Sequence, residues 1–333
     1  MPWPGRRSKG DPTRIFFAAD LHGSEPTFRK FLNAASFYDV DALVFGGDLM
    51  GKALVPIVRD GDRYSAHLHG DDHEFDAGSL LRFCRMVEVT GFYWKVVDRI
   101  EYEQLGRDPM LVKGLFQDRA RERLSSWLEL AKDRLAGTPV RMYLTGGNDD
   151  EPSVLEVLSE ADGDHVVSCE GQVVELDGEH TMITVGLSTP TPWDTPREAD
   201  EAEIETLIEA SMSRVPDPAR CVFNLHCPPK DSLLDRCPKL DTSRMDQGEL
   251  PKPVLERGRM VMTSGGSAAV REAIATYQPV VGLHGHIHES AGRMKLGRTP
   301  SFNPGSDYDK GILQGVIVSI RDGAVVSYQH TSG

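Results

Sequence analysis

Seven residues could hold metal ions, and each stands just past the end of an apolar run. Asp20 and His22 follow the run at residues 14–19, and their i, i+2 spacing lets both face one side of an extended turn. Asp48 follows residues 42–45 after Gly46 and Gly47, which allow the backbone to approach a ligand closely. Asn148 follows residues 140–144 and the triplet Thr145-Gly146-Gly147. His226 ends residues 221–225, and His286 and His288, again i and i+2, follow residues 280–283. One Asp or His at the end of a strand is an ordinary solvated turn. Five strand ends in succession, each adding a hard oxygen or an imidazole, are a different matter. Mixed carboxylate, amide and imidazole donors suit manganese, iron, zinc or cobalt better than calcium, which takes oxygens only. Seven donors are too many for one ion and match two ions sharing a bridging carboxylate. Ion pairs of this kind sit about 3.5–4 Å apart and clamp the attacking and leaving oxygens of an in-line displacement.

Further residues border this set. His284 precedes His286 by two positions and so points the same way, where it could orient a ligand or a phosphate. Ser264-Gly265-Gly266-Ser267 leads into a helix with Arg271 one turn in, so amides at the helix start, Ser267 and Arg271 could receive a phosphate. The plainer reading is an N-cap at Ser267 and an Arg271 paired with a surface carboxylate. Glu289 is placed to orient His288. Phe92, Tyr93 and Trp94 read as packing residues, and Cys227 as a small buried residue at a strand end.

The elements that must position these residues follow from periodicity. The strand at 14–19, a helix over about 25–38 with Phe28, Phe31, Leu32 and Ala35 on one face, and the strand at 42–45 form a strand-helix-strand unit. Open sheets of that kind bind ligands at the carboxyl ends of their strands. Residues 54–68 read as a hairpin turning at Arg59-Asp60-Gly61-Asp62, followed by a polar segment at 69–76. Two helical patterns, about 77–105 and 116–135, complete an insertion before the sheet resumes at 140–144. The chain is thus expected to be a single domain over 1–333 with a cap-like insertion at about 54–135. Residues 163–186 look all-β, a Glu-rich helix is expected over 198–213, and 228–253 reads as a long surface loop. A helix over 267–277 and two final strands near 313–320 and 324–329 close the chain.

The 333 residues carry a formal net charge of −14, from 37 basic and 51 acidic side chains. Bound divalent cations would offset part of that excess. The remainder disfavours long nucleic-acid duplexes, whose affinity comes from Lys and Arg. No apolar run nears the roughly 20 residues of a membrane span, and residues 1–11 lack the apolar segment of a secretory signal, so they are read as a frayed tail. The five cysteines are odd in number and irregularly spaced, which fits reduced thiols and a cytoplasmic protein.

Taken in order, Asp20-x-His22, Gly46-Gly47-Asp48, Gly147-Asn148-Asp149, His226 and Gly285-His286-x-His288 resemble the calcineurin-like metallophosphoesterase superfamily. The resemblance runs from Ile15 to about Ile320. His226-Cys-Pro-Pro, Gly285-His-Ile-His-Glu289 and Asn303-Pro-Gly-Ser306 also look like an uncharacterised prokaryotic cytoplasmic branch of it. It implies a mixed α/β (α+β) fold, a two-sheet β-sandwich flanked by helices. It also implies two divalent ions (Mn²⁺, Fe²⁺/Fe³⁺ or Zn²⁺), with Asp20, His22 and His288 on one, Asn148, His226 and His286 on the other, and Asp48 bridging. A hydroxide shared by the ions would attack a small phosphorylated substrate or nucleotide. Where many members carry Gly-Asn-His, with the histidine protonating the leaving group, this chain has Asp149, which beside two cations would be ionised. Good leaving groups such as aryl phosphodiesters are then favoured, or another group is the acid: His67, His69 or His73 if their segment folds over the metals. A nuclease for single strands and a non-catalytic metal-binding scaffold are the alternatives to a phosphodiesterase or phosphatase.

Overall fold

In the computed structural model, residues 10–160, 163–245 and 250–333 are described. Apart from Gly10 and Asp11, the expected frayed tail lies outside them. β1 (Thr13–Ala18) is an unbroken apolar run after its first two residues, as a strand buried on both faces requires. It leads into α1 (Glu25–Phe37) and returns as β2 (Ala42–Phe45). The chain then departs through β3 (Leu54–Asp60), β4 (Arg63–Leu68), β5 (Asp71–Asp76), α2 (Leu80–Val89), β6 (Tyr93–Val97), α3 (Arg99–Arg107) and α4 (Pro109–Leu135). It comes back with β7 (Arg141–Leu144), α5 (Pro152–Glu160), β8 (Val166–Ser168), β9 (Val173–Glu175), β10 (Thr181–Val185), α6 (Glu201–Met212) and β11 (Cys221–Leu225). Six short strands follow: β12 (Arg236–Pro238), β13 (Leu240–Asp241), β14 (Lys252–Pro253), β15 (Leu255–Glu256), β16 (Arg259–Met260) and β17 (Met262–Ser264). The last elements are α7 (Ala268–Tyr277), β18 (Val281–Leu283), β19 (Gly292–Leu296), β20 (Thr299–Asn303), β21 (Gln314–Arg321) and β22 (Ala324–Ser332).

Two six-stranded sheets carry the fold, in the orders β22-β21-β1-β2-β7-β8 and β19-β20-β18-β11-β10-β9. β1, β2, β7 and β8 run parallel in the first, and β20, β18, β11 and β10 in the second. Alternation along β1 sends Ile15 and Phe17 into the space between the sheets, where they meet Val222, Val281, Leu283 and Phe302. Phe16 and Ala18 face the other way, against Phe28 and Phe31 of α1 and Trp127 and Leu128 of α4. On the far side, Phe223 and Leu225 pack on Ile204 and Ile208 of α6 and Ile274 of α7. Each such side chain contributes about 1.5–3 kcal/mol by leaving water. The result is the expected two-sheet α+β sandwich flanked by helices. The carboxyl ends of the parallel strands of both sheets meet at one edge.

The insertion departs from its expected outline. The hairpin at 54–68 is present, with Val58 opposite Ser65, but the polar segment after it is a third strand, β5, paired residue for residue with β4. β5 reads as polar because most of its side chains face solvent. The helix expected over 77–105 is two helices with a strand between them. Gly91, at φ +80°, ends α2, and the aromatic and β-branched run Tyr93–Val97 pairs in parallel with β3. Asp98 and Glu101 then form a capping box that starts α3. α4 begins earlier than expected, at Pro109 behind the Asp108 cap. The loop expected at 228–253 contains β12, β13 and the start of a set of two- and three-residue ladders; residues 246–249 of it lie outside the described ones. Among the described residues no helix is long and apolar enough to cross a membrane, and no disulfide joins any of the five cysteines.

Candidate metal centre

The strand ends that meet at this edge are tied together beyond the sheets. Asp20 N donates to Gly47 O and His22 N to Asp48 O, so the β1 and β2 loops continue side by side; Gly285 N donates to His226 O. Asp20, His22, Asp48 and His286 all have φ between +42° and +68°, a left-handed conformation that non-glycine residues adopt at a cost. Gly47 permits the turn that aims Asp48: a Cβ there would sit 2.6 Å from His226 Nδ1. Asp150 holds the arrangement from below. Fully buried, it accepts from Leu49 N at 3.0 Å, Met50 N at 2.6 Å and Gly147 N at 2.7 Å, clamping the turns that carry Asp48 and Asn148.

All seven residues singled out by spacing converge here, in two groups. In the first, His22 Nε2 lies 3.1 Å from His288 Nε2 and 3.5 Å from Asp48 Oδ2, and His288 Nε2 lies 3.6 Å from Asp20 Oδ1. The donor atoms of Asp20, His22, Asp48 and His288 fall within 4.8 Å of one another. In the second, Asn148 Oδ1 lies 2.9 Å from His226 Nε2 and 2.8 Å from His286 Nδ1. Asp48 Oδ2, 3.5 Å from His226 Nε2, belongs to both groups.

The donor set fits cations. His226 Nδ1 donates to the Gly46 carbonyl at 2.8 Å, so in the neutral ring Nε2 carries a lone pair. The Asn148 amide is oriented by Nδ2 donating to Thr195 Oγ1 at 2.9 Å, which turns its oxygen toward that same Nε2. Two acceptors facing each other repel unless a proton or a metal ion lies between them. The electrostatics agree. Burial opposes a charge on His226, but Asp48, through its charge and a hydrogen bond, and then Asp20, push its pKa up to about 9. Burial likewise opposes ionised Asp48, yet His226 and then His22 hold its carboxyl well below the usual range. Burial takes His286 down to about 4 and His22 well below its ordinary value. His22 Nδ1 is buried without a hydrogen-bond partner.

Other residues read from the sequence lie elsewhere. His284 is fully buried, with Nδ1 on Leu225 O at 2.8 Å and its pKa taken down to about 4 by burial. It packs inside the sandwich, two residues before His286. The start of α7 is filled by a carboxylate: Glu201 accepts from Ser267 Oγ, Ala268 N and Ala269 N, while Ser267 Oγ accepts from Val270 N. Arg271 donates to the carbonyls of Lys230 and Asp231. The phosphate site expected at Ser267 and Arg271 is therefore an N-cap, and the arginine staples a loop. His67 pairs with Asp72, and His69 and His73 lie at a tilt against Phe92 and Phe83, all within the insertion itself. Glu289 is exposed, and His288 is instead flanked by Asp20, His22 and Tyr308. Tyr93 is buried with its hydroxyl on Gly51 N, and Cys227 is buried, its thiol pushed up to about 12.

Spacing alone passed over five residues. Besides Asp150, these are Lys52, whose Nζ lies 2.9 Å from Asp149 Oδ2, and Tyr308, whose ring centroid lies 4.6 Å from that of His22. Asn303 Nδ2 donates to Gly285 O and Ile287 O, and Ser306 Oγ to Asp20 O, which fixes the loops bearing Asp20 and His286. Asn303-Pro-Gly-Ser306 and the second aspartate of Gly-Asn-Asp-Asp were the available signals. Burial and then Asp48 raise the Asp149 carboxyl above its ordinary value, against the opposing pull of the Lys52 ammonium. A 2.9 Å contact with an ammonium is the geometry of an ionised carboxylate.

No family model matches this chain, and no curated protein does. The likeness is to solved structures. One aligns over 97% of this chain and 98% of its own, with a TM-score of 0.57 and 16% identity. The TT1561 structure from Thermus thermophilus aligns over 97% and 98%, with a TM-score of 0.53 and 12% identity. A structure described as a novel archaeal phosphodiesterase reaches a TM-score of only 0.35 at 12% identity, too remote to carry an argument. At such identities the likeness is one of fold.

Proposed function

We propose that this chain is a phosphoesterase that depends on two divalent metal ions and hydrolyses phosphodiesters of a small molecule or nucleotide. The observation that carries the reading is the position of Asp48, whose Oδ2 stands 3.5 Å from both His22 Nε2 and His226 Nε2 and so joins two donor groups. Asp20, His22 and His288 would hold one ion, Asn148, His226 and His286 the other, and Asp48 both. Ions held there would acidify a water and neutralise charge developing on the phosphoryl oxygens.

The chain's own residues do the rest. Gly46 O keeps His226 in the tautomer whose Nε2 can coordinate, and His286 N, donating to Asp20, fixes that carboxylate. Asp149, paired with Lys52, has no proton to give a leaving group. Esters whose leaving group departs without protonation are therefore the better substrates, aryl diesters ahead of alkyl monoesters. The net charge of −14 favours small substrates over long duplexes.

The test is hydrolysis of bis-p-nitrophenyl phosphate beside p-nitrophenyl phosphate, with Mn²⁺ and with chelator, for the natural chain and Asp48→Asn. Metal-dependent turnover, faster on the diester and lost in the variant, is expected. Equal or faster monoester hydrolysis would remove the diester preference. No turnover from folded protein holding two ions would favour a non-catalytic metal-binding protein.

A further inference from the structure

Lys52 is a cation set into an anion-rich centre, used so far only as the partner of Asp149. The three residues that lead into it are fixed. The two residues before Gly51 give their amides to Asp150, and Gly51 N donates to Tyr93 Oη at 2.8 Å. Gly51 packs so closely on the α2–β6 turn that a Cβ would lie 2.0 Å from Gly91 O. From this anchored loop the Lys52 side chain reaches Asp149 Oδ2 at 2.9 Å, and the same oxygen lies 3.8 Å from His22 Nδ1. The side chain is 41% exposed, so the ammonium stands between solvent and the donor cluster. Its charge is felt at His22, Asp48, His288 and Tyr308 as well as at Asp149. An ammonium has three N–H donors, and among the described residues Asp149 is the partner it meets.

We infer that Lys52 is a substrate contact of this site: its ammonium, held in place by Asp149, donates to a non-bridging phosphoryl oxygen lying over the two donor groups. Asp149 is then a positioning residue that acts through Lys52. The inference rests on the phosphoesterase reading and deepens it. The site recognises the phosphoryl group by one fixed cation of the protein in addition to the metals, at the position where a histidine acid is missing. A single ammonium contacts one oxygen as a point charge, so Arg should substitute for it in part and a neutral side chain should not.

The experiment measures binding of inorganic phosphate to Mn²⁺-loaded protein by calorimetry, with Mn²⁺ stoichiometry and KM for bis-p-nitrophenyl phosphate measured alongside. The variants are Lys52→Gln, Lys52→Arg, Asp149→Asn and the Lys52→Gln/Asp149→Asn pair. Lys52→Gln is expected to weaken phosphate binding about tenfold or more, the scale of one hydrogen bond to a charged group, with Mn²⁺ stoichiometry unchanged. Lys52→Arg should stay within about threefold of the natural chain. Asp149→Asn should lose less than Lys52→Gln, and the double variant no more than Lys52→Gln alone. Phosphate affinity unchanged in Lys52→Gln, or Lys52→Arg as weak as Lys52→Gln, would overturn the contact while leaving the phosphoesterase reading intact. Additive losses in the double variant would overturn the role of Asp149. A natural chain that binds Mn²⁺ but neither binds phosphate nor hydrolyses the diester would bring down both.

Discussion

Asp48 Oδ2 faces His226 Nε2 at 3.5 Å, and the other nitrogen of that imidazole is committed to the Gly46 carbonyl. In the absence of metal the pair keeps a proton on His226 up to about pH 9, because Asp48 outweighs the burial that would expel it. A metal ion must displace that proton. Below pH 9 binding should therefore release protons, and affinity should rise as pH rises toward 9. Calorimetric titration with Zn²⁺ or Mn²⁺ in two buffers of different ionisation enthalpy reads the release directly. Two ions per chain and a buffer-dependent heat are expected. Asp48→Asn should lose at least one ion and bind the remainder about tenfold or more weakly. A heat independent of buffer would refute the proton exchange.

Asp150 is not itself one of the candidate ligands, yet its carboxylate joins the turns bearing Asp48 and Asn148 through three backbone amides. Replacing it with Ala leaves those buried donors without an acceptor, each worth about 1–3 kcal/mol. Asp150→Ala should lower stability by about 3 kcal/mol or more in urea unfolding and weaken metal binding, while Asp150→Asn, which keeps one acceptor, should lose less. An unfolding midpoint equal to that of the natural chain would show that the turns hold without it.

The candidate centre was legible because each of its residues follows a short apolar strand, and a strand end fixes where its next residue points. Asp20, His22, Asp48, Asn148, His226, His286 and His288 could be picked out without knowing how the strands are ordered. Lys52 could not, since it lies four residues beyond Asp48 on a loop whose path depends on Gly51 meeting Gly91, forty residues away. Arg271 and Ser267 misled for the converse reason. A helix start looks like an anion site until the carboxylate that fills it, here Glu201 from another helix, is seen. In the insertion, Tyr93–Val97 followed a helical pattern too closely for its boundary with α2 to show, and the exposed face of β5 hid its pairing. The edge strand β19 and its neighbour β20 are five residues each and mix polar and apolar residues, which leaves only a short pattern to read.

The cap at α7 makes its own prediction. Glu201 receives two backbone amides and the Ser267 hydroxyl at the positive end of the helix, and its carboxyl is lowered by these bonds despite partial burial. Glu201→Ala should cost about 1–2 kcal/mol of stability, the usual worth of a helix cap with its dipole interaction. Phosphate affinity should stay at the level of the natural chain in Glu201→Ala and in Arg271→Ala. Weaker phosphate binding in Arg271→Ala would restore this helix start as a substrate site.

Acid stability should depend on Asp177, far from the metal centre. Its carboxylate accepts from Glu179 N at 2.9 Å, His180 N at 2.7 Å and His180 Nδ1 at 2.8 Å, and from Thr13 Oγ1, so the β9–β10 turn of one sheet is fastened to the first strand of the other. Gly323 N donates to the second nitrogen of the same imidazole. Burial raises the Asp177 carboxyl, but the His180 and Thr13 bonds and the two amides outweigh it and leave the pKa well below the carboxylate range. A group depressed in the folded state stabilises above its unfolded pKa, roughly 3.9, and loses that contribution as pH falls toward the folded value. Asp177→Asn should therefore be less stable than the natural chain at pH 7 by about 1–2 kcal/mol, the worth of these bonds after solvent screening. The gap should hold down to about pH 5 and narrow as pH drops through 4 toward 3. Urea unfolding midpoints at pH 7, 5, 4 and 3 measure it. A gap that stays constant to pH 3 would mean that the turn is held by its backbone bonds alone.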